Sequence, residues 1–543
     1  MRNPAQSVTR VPGWEHTGWR LSRLLNDEVS RSPALTQALD AMTSEKDRDS
    51  AVPALQEQLE KAGLRVAAAM AASLGRPQAA STLGPTGWRW QLLEAILIHA
   101  GDPDVDVARW LDGHTPLGIK SEIVPRGIFP RAEQTAAQLA SWEFYRGRIS
   151  EDIEENYASY KENAQESAGE LSRLIREGHV EPIGTWADAK ARWPDALATK
   201  LATIVKARTD GTTKVRFVVD MRRSGINGLS KCRERITLPR GEDVVNDVLR
   251  LLAHQGTGGR VELLTVDIAD AFLNLHVNES ERGYTIIKDE DGTYHAYRGV
   301  PFGLATAPLL WGRLAAAISR YAQACHWSTH HRLQTYVDDP VIVCAGSQEE
   351  RTQQLAVTLL GWAALGVRMA LHKLHRGQTV PWIGVEFSIL PSGLQISFDK
   401  TRTTKLLHTI EEILNHKGLI MGLRSLTGEL AWMAGFVPRA RPWVTMLWAA
   451  LTEADRAQAH GGRHKRPAGS VLRPMVVKPL TWLKAFLRGH RGGLVQQFTI
   501  HQPRYPSLII RTDASTTGLR GPLRGPGRQL SSPGLATPSG GDN

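Results

Sequence analysis

The sequence predicts an α+β fold, and three observations support that prediction. Apolar residues recur with a helical period over 55–74 and 309–321. A β-branched, apolar run over 261–266 is typical of a buried strand and ends at Asp267. Two more strand-like runs flank Tyr336-Val337-Asp338-Asp339, so a tight turn is expected to present both carboxylates. Pro340 suits the end of this turn better than a central strand.

Length, composition and charge limit the class of protein. A chain of 543 residues with 42% hydrophobic and 22% charged residues can fold into several globular domains and is not disordered by composition. The formal net charge of +11 fits a polyanionic partner, although a basic, solvated surface explains the same number.

Cysteine usage and hydropathy indicate where the protein works. Cys232, Cys325 and Cys344 form no CxxC spacing, which argues against a disulfide scaffold or an obvious zinc site and favours a reducing compartment. The sequence contains no run of about 18 apolar residues and no apolar core of a signal peptide near its start. We therefore expect a soluble intracellular protein of the cytoplasm or nucleus, without a membrane partner.

Residues 1–145 are predicted to form a helical N-terminal extension of unknown role. Helical periodicity covers 55–74 and 88–99. Asp102, Asp104 and Asp106 suggest a calcium loop, but Pro103 and the lack of a correctly spaced glycine and glutamate argue against calcium.

Residues 146–255 are predicted to hold a lead-in helix and a basic hairpin. The helix is expected over 150–177, with Ser150 as N-cap and Gly178 as its end. Alternating residues around Thr209-Asp210-Gly211-Thr212 predict the hairpin within 203–220. Its basic side chains could be a solvated charged surface or a phosphate contact; they are Lys206, Arg208, Lys214 and Arg216.

Four acidic residues lie at the ends of predicted strands. Asp267 and Asp270 close one strand, and Asp338 and Asp339 occupy the turn. Carboxylates at the ends of adjacent strands can converge on two divalent cations, as two-metal phosphoryl transfer requires.

Four segments in order, over 261–272, 300–308, 336–339 and 366–384, resemble the palm of a retroelement reverse transcriptase of the LTR or tyrosine-recombinase type. The resemblance implies a right-hand polymerase with fingers, palm and thumb. It implies an RNA-directed DNA polymerase that takes an RNA template with a DNA primer, a dNTP, and two Mg²⁺ or Mn²⁺ ions. The implied domains are fingers within 146–255, palm over 256–400, thumb over 401–455, and a basic linker and connection over 456–505.

The resemblance also implies roles for individual residues. Asp267, Asp338 and Asp339 would hold the metals with the carbonyl of Ile268, and Lys373 would protonate the leaving pyrophosphate. The residues that would contact the nucleotide are Lys206, Arg216, Ile268, Ala269, Asp270, Ala271, Phe272, Phe302 and Gly303. Phe272 would be the steric gate against a 2′-hydroxyl, and an ordinary core phenylalanine is the alternative. For Lys373 the alternative is a basic surface loop.

Two further motifs resemble the family, and one pair of residues differs from it. Residues 380–385 resemble the primer grip, and a helix over 423–436 resembles the thumb helix that follows the duplex. The family's usual Phe-Gln pair is replaced here by Trp311-Gly312.

Residues 507–515 resemble the first strand of a retroelement ribonuclease H, with Asp513 as its first carboxylate. The Pro/Gly/Ser-rich residues that follow are expected to be disordered, so the domain is expected to be truncated and without ribonuclease H activity.

Two other functions remain open from the sequence. A catalytically inactive remnant that only binds nucleic acid is favoured by the truncation and by Trp311-Gly312, and opposed by the intact carboxylates. An RNA-templated RNA polymerase is disfavoured by the aromatic ring of Phe272.

Overall fold

A computed structural model describes the chain from residue 12 to residue 530, with gaps at 45, 133–154, 208–212, 255–259, 327–329, 417–419, 421, 460–469, 490–493 and 501–508. Between 509 and 530 only short strands are described. The chain divides into two compact units, 1–498 and 499–543. The predicted N-cap Ser150 and the turn 209–212 lie outside the described residues.

The fold is α+β, as predicted, and its longer helices are numbered here in chain order. They are α1 Pro12–Arg31, α2 Pro33–Ala41, α3 Arg48–Ser73, α4 Trp90–His99, α5 Ala164–Arg176, α6 Trp186–Arg192, α7 Gly241–His254, α8 Ala307–Ala324, α9 Gln348–Leu365, α10 Lys400–Asn415, α11 Leu423–Phe436, α12 Arg441–Ala459 and α13 Arg473–Leu487. Short helical segments are Pro77–Ala80, Val107–Arg109, Trp110–His114, Ala158–Glu162, Ile226–Leu229, Phe272–Asn274, Glu279–Tyr284, Leu371–Lys373 and Pro438–Ala440. The single lead-in helix expected over 150–177 is instead two helices, because Asn163 leaves the helical conformation (φ −115°, ψ 47°).

The strands of the larger unit are β1 Val180–Gly184, β2 Leu201–Ala207, β3 Thr213–Val219, β4 Arg260–Thr265, β5 Ile286–Lys288, β6 Tyr294–Tyr297, β7 His331–Tyr336, β8 Asp339–Gly346, β9 His375–Gly377, β10 Thr379–Trp382, β11 Val385–Leu390 and β12 Gly393–Phe398, with β13 Gln496–Thr499 at the boundary of the two units.

The central sheet has the strand order β7-β8-β4-β9. Strands β7 and β8 form a hairpin, and β4 runs antiparallel to β8 from Arg260↔Gly346 to Thr265↔Val341. Strands β4 and β8 are buried along almost their whole length, and β8 contains the β-branched run Val341, Ile342 and Val343, as expected for central strands. Pro340 was expected to follow the turn outside a central strand. It is instead the second residue of central strand β8, where the ladder to β4 ends at the next residue.

Helices α1–α4 and the following residues to 117, called here the N-terminal helical layer, pack against helices α8 and α9. Helix α3 lies along α9, and α1 contacts both α8 and α9. Two aspartates of the layer lie buried in ion pairs with α8: Asp102 with Arg320 (2.7 Å) and Asp104 with Arg313 (2.8 Å). Guanidinium groups therefore neutralise these carboxylates.

A second, three-stranded sheet has the order β1-β6-β5. Strands β5 and β6 form a further hairpin. Strand β6 pairs with β1, so the hairpin forms its own sheet instead of extending the central one. The basic hairpin predicted within 203–220 is confirmed as β2 and β3, paired from Leu201↔Val219 to Ala207↔Thr213.

The C-terminal half of the larger unit has a separate hydrophobic core. Strands β10-β11-β12-β13 form its sheet, and α10–α13 pack around residues such as Phe387, Leu430 and Phe486. The linker predicted from residue 456 begins later, because α12 continues to Ala459, and α13 begins at Arg473.

The smaller unit contains short antiparallel strands over Ile509–Ile510, Asp513–Ser515, Gly518–Arg520, Leu523–Gly525 and Arg528–Leu530. Disorder was expected after 518, whereas paired strands continue to residue 530. Among the described residues, no helix is both long and apolar enough to cross a bilayer.

Candidate active site

The turn between β7 and β8 carries two of the predicted carboxylates. Tyr336 pairs with Asp339, which leaves Val337 and Asp338 as a two-residue turn. Val337 has φ +55° and Asp338 does not have positive φ, which is the pattern of a type II′ turn. Glycine is the usual residue at the first position, and a β-branched residue there costs roughly 1–3 kcal/mol. The surrounding structure must therefore impose this conformation.

Three hydrogen bonds hold the backbone of the turn, one to each of three successive carbonyls. Trp311 Nε1 donates to Val337 O (2.7 Å). Ile268 N donates to Asp338 O (2.9 Å), and Trp382 Nε1 donates to Asp339 O (2.9 Å). The turn is thus held from α8, from the end of β4 and from β10.

Asp267 follows β4, the strand beside β8, and this brings its carboxylate to the same end of the sheet as the turn. The Asp267 and Asp339 side chains lie within hydrogen-bonding reach of each other. Burial, and then the charges of Asp338 and Asp267, raise the pKa of Asp339 to about 7. Burial and the charge of Asp267 also raise the pKa of Asp338. The three carboxylates predicted from the sequence therefore converge and repel one another.

Lys373 is the cation nearest to this group. Its Nζ forms an ion pair with Asp267 Oδ2. The Asp267 carbonyl accepts a hydrogen bond from Ala370 N (2.8 Å), and Ala269 N donates to Arg368 O (2.9 Å). These backbone bonds fix the segment that carries Lys373 against the segment that carries Asp267.

The carboxylates lie in an open cleft of about 1240 Å³. The predicted site residues that line it are Arg216, Asp267, Ile268, Ala269, Asp270, Ala271, Phe302, Asp338, Asp339 and Lys373. Lys206 is exposed on β2 and pairs in register with Lys214, and it is Lys214 that lines the cleft. The structure thus brings nearly all of the predicted residues together.

Phe272 and Gly303 lie beside the cleft. The ring of Phe272 meets the ring of Phe302 edge-on, with centroids 5.1 Å apart. Gly303 has φ +120°, and a Cβ there would lie 1.9 Å from Val219 O, so only glycine fits against strand β3. Asn227 Nδ2 donates to Gly303 O (2.9 Å), which joins this loop to the segment after the fingers hairpin.

Asp270 sits in a network of charged residues that the sequence did not reveal. It has φ +50°, and its carboxylate lies 3.3 Å from Arg368 Nη2 and 3.8 Å from Arg173 Nη1. The ligand atoms of Asp270, Glu177 and His179 lie within 4.8 Å of one another. Because Arg173 also donates to Glu177 (2.6 Å), guanidinium groups already balance these carboxylates.

Sequence reasoning missed the structural roles of Trp311 and Trp382 and the position of Lys214. The sequence places Lys214 opposite Lys206 in the hairpin. Because the length of the turn left the pairing of the two strands uncertain, the sequence did not show which of the two lysines faces the cleft. A tryptophan carries a donor that phenylalanine lacks, and this was the available signal at position 311.

Comparison with known families supports the class of site that this geometry defines. Residues 229–387 match the family described as reverse transcriptase (RNA-dependent DNA polymerase). This segment contains all three carboxylates, the loop at 300–308 and the start of the primer-grip hairpin. This segment of the chain is therefore similar to a reverse transcriptase domain.

Individual relatives are more distant. The chain is 25% identical over 206 residues to "Uncharacterized protein K02A2.6" of Caenorhabditis elegans, which covers 38% of this chain and 14% of that protein. Among solved structures, a foamy viral protease-reverse transcriptase in complex with dsDNA aligns over 81% of this chain and 78% of its own, with 15% identity and a TM-score of 0.42. A second structure, described as the foamy viral protease-reverse transcriptase dRH with ds DNA, aligns over 69% and 55% with the same TM-score. The chain thus spans about a seventh of the curated relative and about half of this second structure.

Proposed function

We propose that the protein is an RNA-directed DNA polymerase of a retroelement, which extends a DNA primer on an RNA template with deoxynucleotides. One observation carries the proposal. Asp267, Asp338 and Asp339 converge at one end of the central sheet, on the floor of an open cleft, within the segment that matches the reverse transcriptase family.

The donor set fits two Mg²⁺ ions, or Mn²⁺. Asp267, Asp338 and Asp339 offer only oxygen ligands, which hard divalent cations prefer, and the carbonyl of Ile268 is a further oxygen nearby. Among the described residues, Lys373 forms an ion pair with Asp267, and burial and the neighbouring carboxylates still raise the pKa of Asp338 and of Asp339, as expected for a group that favours a divalent cation. When bound, the metal ions would activate the primer 3′-hydroxyl and stabilise charge on the phosphates.

The remaining residues of the cleft suit nucleotide binding. Arg216 on the fingers hairpin is close enough to Asp338 to lower its pKa, so it can approach phosphates held by the carboxylates. Lys373 already holds its ammonium group at Asp267, where a general acid for pyrophosphate would be placed. Phe272, backed by Phe302, would exclude a ribose 2′-hydroxyl by its bulk.

Helix α11 supports binding of a duplex. Gly428 and Gly435 lie within this helix, and a Cβ at either position would meet nothing within 4 Å among the residues that the structure describes. Glycine inside a helix costs about 1 kcal/mol relative to alanine, so packing within this chain does not explain it. Close approach of a nucleic-acid backbone explains it, as expected for a thumb helix that follows the duplex.

The LTR or tyrosine-recombinase class, the ribonuclease H start at Asp513 and the intracellular location stay predictions from the sequence. They extend the proposal, and the polymerase activity does not depend on them.

The test is primer extension by the purified protein on poly-rA with an oligo-dT primer, Mg²⁺ and dTTP. We expect extension by the wild type and a loss of about a hundredfold or more in Asp338→Asn, because that variant lacks a metal ligand. The matched control is Asp291→Asn in the exposed hairpin turn between β5 and β6, which should extend as the wild type does.

Other outcomes would identify the rival functions. Wild-type protein that binds the duplex in a salt-dependent way but never extends the primer would contradict the polymerase and favour an inactive nucleic-acid-binding remnant. Preference for UTP over dTTP would instead indicate an RNA polymerase.

A further inference from the structure

The Trp311-Gly312 pair departs from the family's usual residues, and the structure gives both positions a reason. Trp311 is fully buried and donates its indole N–H to Val337 O (2.7 Å). A Cβ on Gly312 would lie 2.5 Å from Ile236 Cδ1 and 3.5 Å from Phe129 Cζ. Glycine at 312 therefore lets α8 approach these residues, and the approach seats Trp311 beneath the turn.

The residue that Trp311 supports is strained. Val337 holds φ +55° between Tyr336 and Asp338, a conformation that a β-branched residue rarely adopts. Its carbonyl direction depends on this conformation, so a donor fixed in front of Val337 O favours it over the relaxed alternatives. Asp338 and Asp339 follow Val337 directly in the chain, so the conformation of the turn determines where their carboxylates lie.

Trp311 is itself positioned from outside the polymerase domain. The ring of Trp88, in the N-terminal helical layer, meets the ring of Trp311 edge-on at 84°, with centroids 6.5 Å apart. Both rings are fully buried. The edge contact limits rotation of the Trp311 ring and so the direction of its N–H.

Trp88 is held by its neighbour Arg89. Arg89 N donates to Leu365 O (2.8 Å), and its guanidinium group donates to the carbonyls of Ala80 and Ala364. Gly366 ends α9 with φ +81° and leaves no room for a Cβ beside Gly87. The segment that carries Trp88 is therefore clamped to the C-terminal end of α9.

We propose that Trp311 is a positioning residue of the active site, and that the N-terminal helical layer, through Trp88, sets the geometry of the metal-binding turn. This gives a structural role to the described part of residues 12–117, where none of the candidate catalytic or binding residues lies. The inference rests on the proposed polymerase function, but its effect on metal binding can be measured without catalysis.

The principal variant is Trp311→Phe, which keeps an aromatic ring and removes the N–H. Two readouts are compared with the wild type: the single-turnover rate of dTTP addition on poly-rA/oligo-dT, and the affinity for Mn²⁺ alone, measured by titration of free Mn²⁺ with electron paramagnetic resonance. We expect the rate to fall about fivefold to tenfold and Mn²⁺ binding to weaken about threefold or more, with duplex affinity and the dTTP concentration for half-maximal rate little changed.

Trp362→Phe is the matched control. Trp362 is also buried, lies on α9 and directs its N–H to Ile318 O at 3.5 Å, away from the turn. It should keep the wild-type rate and Mn²⁺ affinity. Trp88→Leu is the second variant, and it should reduce both readouts in the same direction as Trp311→Phe, which tests the link to the helical layer even if the first variant does not fold.

The outcomes separate the two proposals. A wild type that never extends a primer would refute the polymerase, while weaker Mn²⁺ binding in Trp311→Phe than in Trp362→Phe would still support the positioning role. Equal Mn²⁺ affinity in Trp311→Phe, Trp88→Leu and Trp362→Phe would overturn the positioning role, whatever the activity of the wild type.

Discussion

Three non-glycine residues hold positive φ among those that the structure describes: Asp270, Val337 and Ile383. All three belong to segments that border the cleft, since Asp270 and Ile383 line it and Val337 precedes Asp338. Specific contacts stabilise these conformations, such as the ion pairs of two arginines with Asp270 and the hydrogen bond from the Trp311 indole N–H to Val337 O. Backbone strain is thus concentrated at the border of the cleft, where the surrounding contacts impose unfavourable φ values.

The steric role of Phe272 can be tested at the level of one side chain. Phe272→Ala should admit ribonucleotides, because its ring and that of Phe302 form the apolar wall beside the cleft. Discrimination between dTTP and UTP, measured as the ratio of kcat/KM values in primer extension, should fall about tenfold to hundredfold. Phe272→Tyr keeps the bulk of the ring and should retain the discrimination. Unchanged discrimination in Phe272→Ala would mean that the ring only fills the core.

At the scale of the secondary-structure elements, buried ion pairs join the N-terminal helical layer to α8 and to the central sheet. Asp102 accepts two hydrogen bonds from Arg320 and one from Trp14 Nε1 (3.0 Å), with both charged side chains fully buried. On another face, Arg376 of β9 bridges Glu262 of β4 (2.9 Å) and Asp40 of α2 (3.0 Å). Such pairs specify how elements dock, because a misplaced partner leaves a buried charge unpaired.

Asp102→Asn should therefore destabilise the protein strongly. The substitution leaves the Arg320 guanidinium buried without a counter-charge, and we expect a loss of about 3–5 kcal/mol in the free energy of unfolding, measured by urea denaturation. Asp106→Asn is the matched control in the same loop, since the Asp106–Arg126 pair is partly exposed and should contribute less than about 1 kcal/mol. Similar losses in the two variants would show that the buried pair does not hold the layer.

The elements that the sequence predicted well are those with a strong local pattern. Helix α11 over 423–436 and the β7–β8 turn follow from hydrophobic period and turn chemistry. The pairing of β6 with β1 was missed because it joins residues more than a hundred positions apart. The Trp311 N–H bond was missed for a similar reason, since no local pattern shows which carbonyl a buried indole will reach.

Considered as a whole molecule, the protein carries a net charge of +11 and a cleft with basic residues on its fingers side. If the cleft holds a primer–template duplex, phosphate contacts should release counterions. The dissociation constant of wild-type protein for the duplex should then increase at least about tenfold between roughly 50 and 200 mM salt, measured by fluorescence anisotropy. Affinity that is independent of salt would contradict a phosphate-based interface.

Buried titratable groups make the stability of the whole molecule depend on pH. Burial lowers the pKa of His179 to about 4 and those of His276 and His326 to about 3, and it lowers the pKa of His331 well below its usual value. In the unfolded chain each histidine titrates near pH 6.5. Below that pH the unfolded state binds more protons, so stability decreases as the pH falls.

Buried carboxylates act in the opposite direction. Burial raises the pKa of Asp247 to about 6, and burial with neighbouring charges raises that of Asp339 to about 7. The folded state binds a proton at these groups above the pH at which the unfolded chain does, so their protonation stabilises it on acidification. Burial also lowers the pKa of His375 and raises that of Asp338, so five histidines oppose three carboxylates, and we expect a net loss of stability between pH 7 and 5.

The free energy of unfolding, measured by urea denaturation, should therefore fall by about 2–5 kcal/mol between pH 7 and pH 5. His276→Met removes one buried group that cannot be protonated in the folded state, so it should reduce that loss by about 2 kcal/mol. His408→Met is the control, because His408 is largely exposed on α10 and should leave the pH dependence unchanged. A wild type whose stability is constant or rises on acidification would show that the carboxylates, and not the buried histidines, dominate the proton balance of folding.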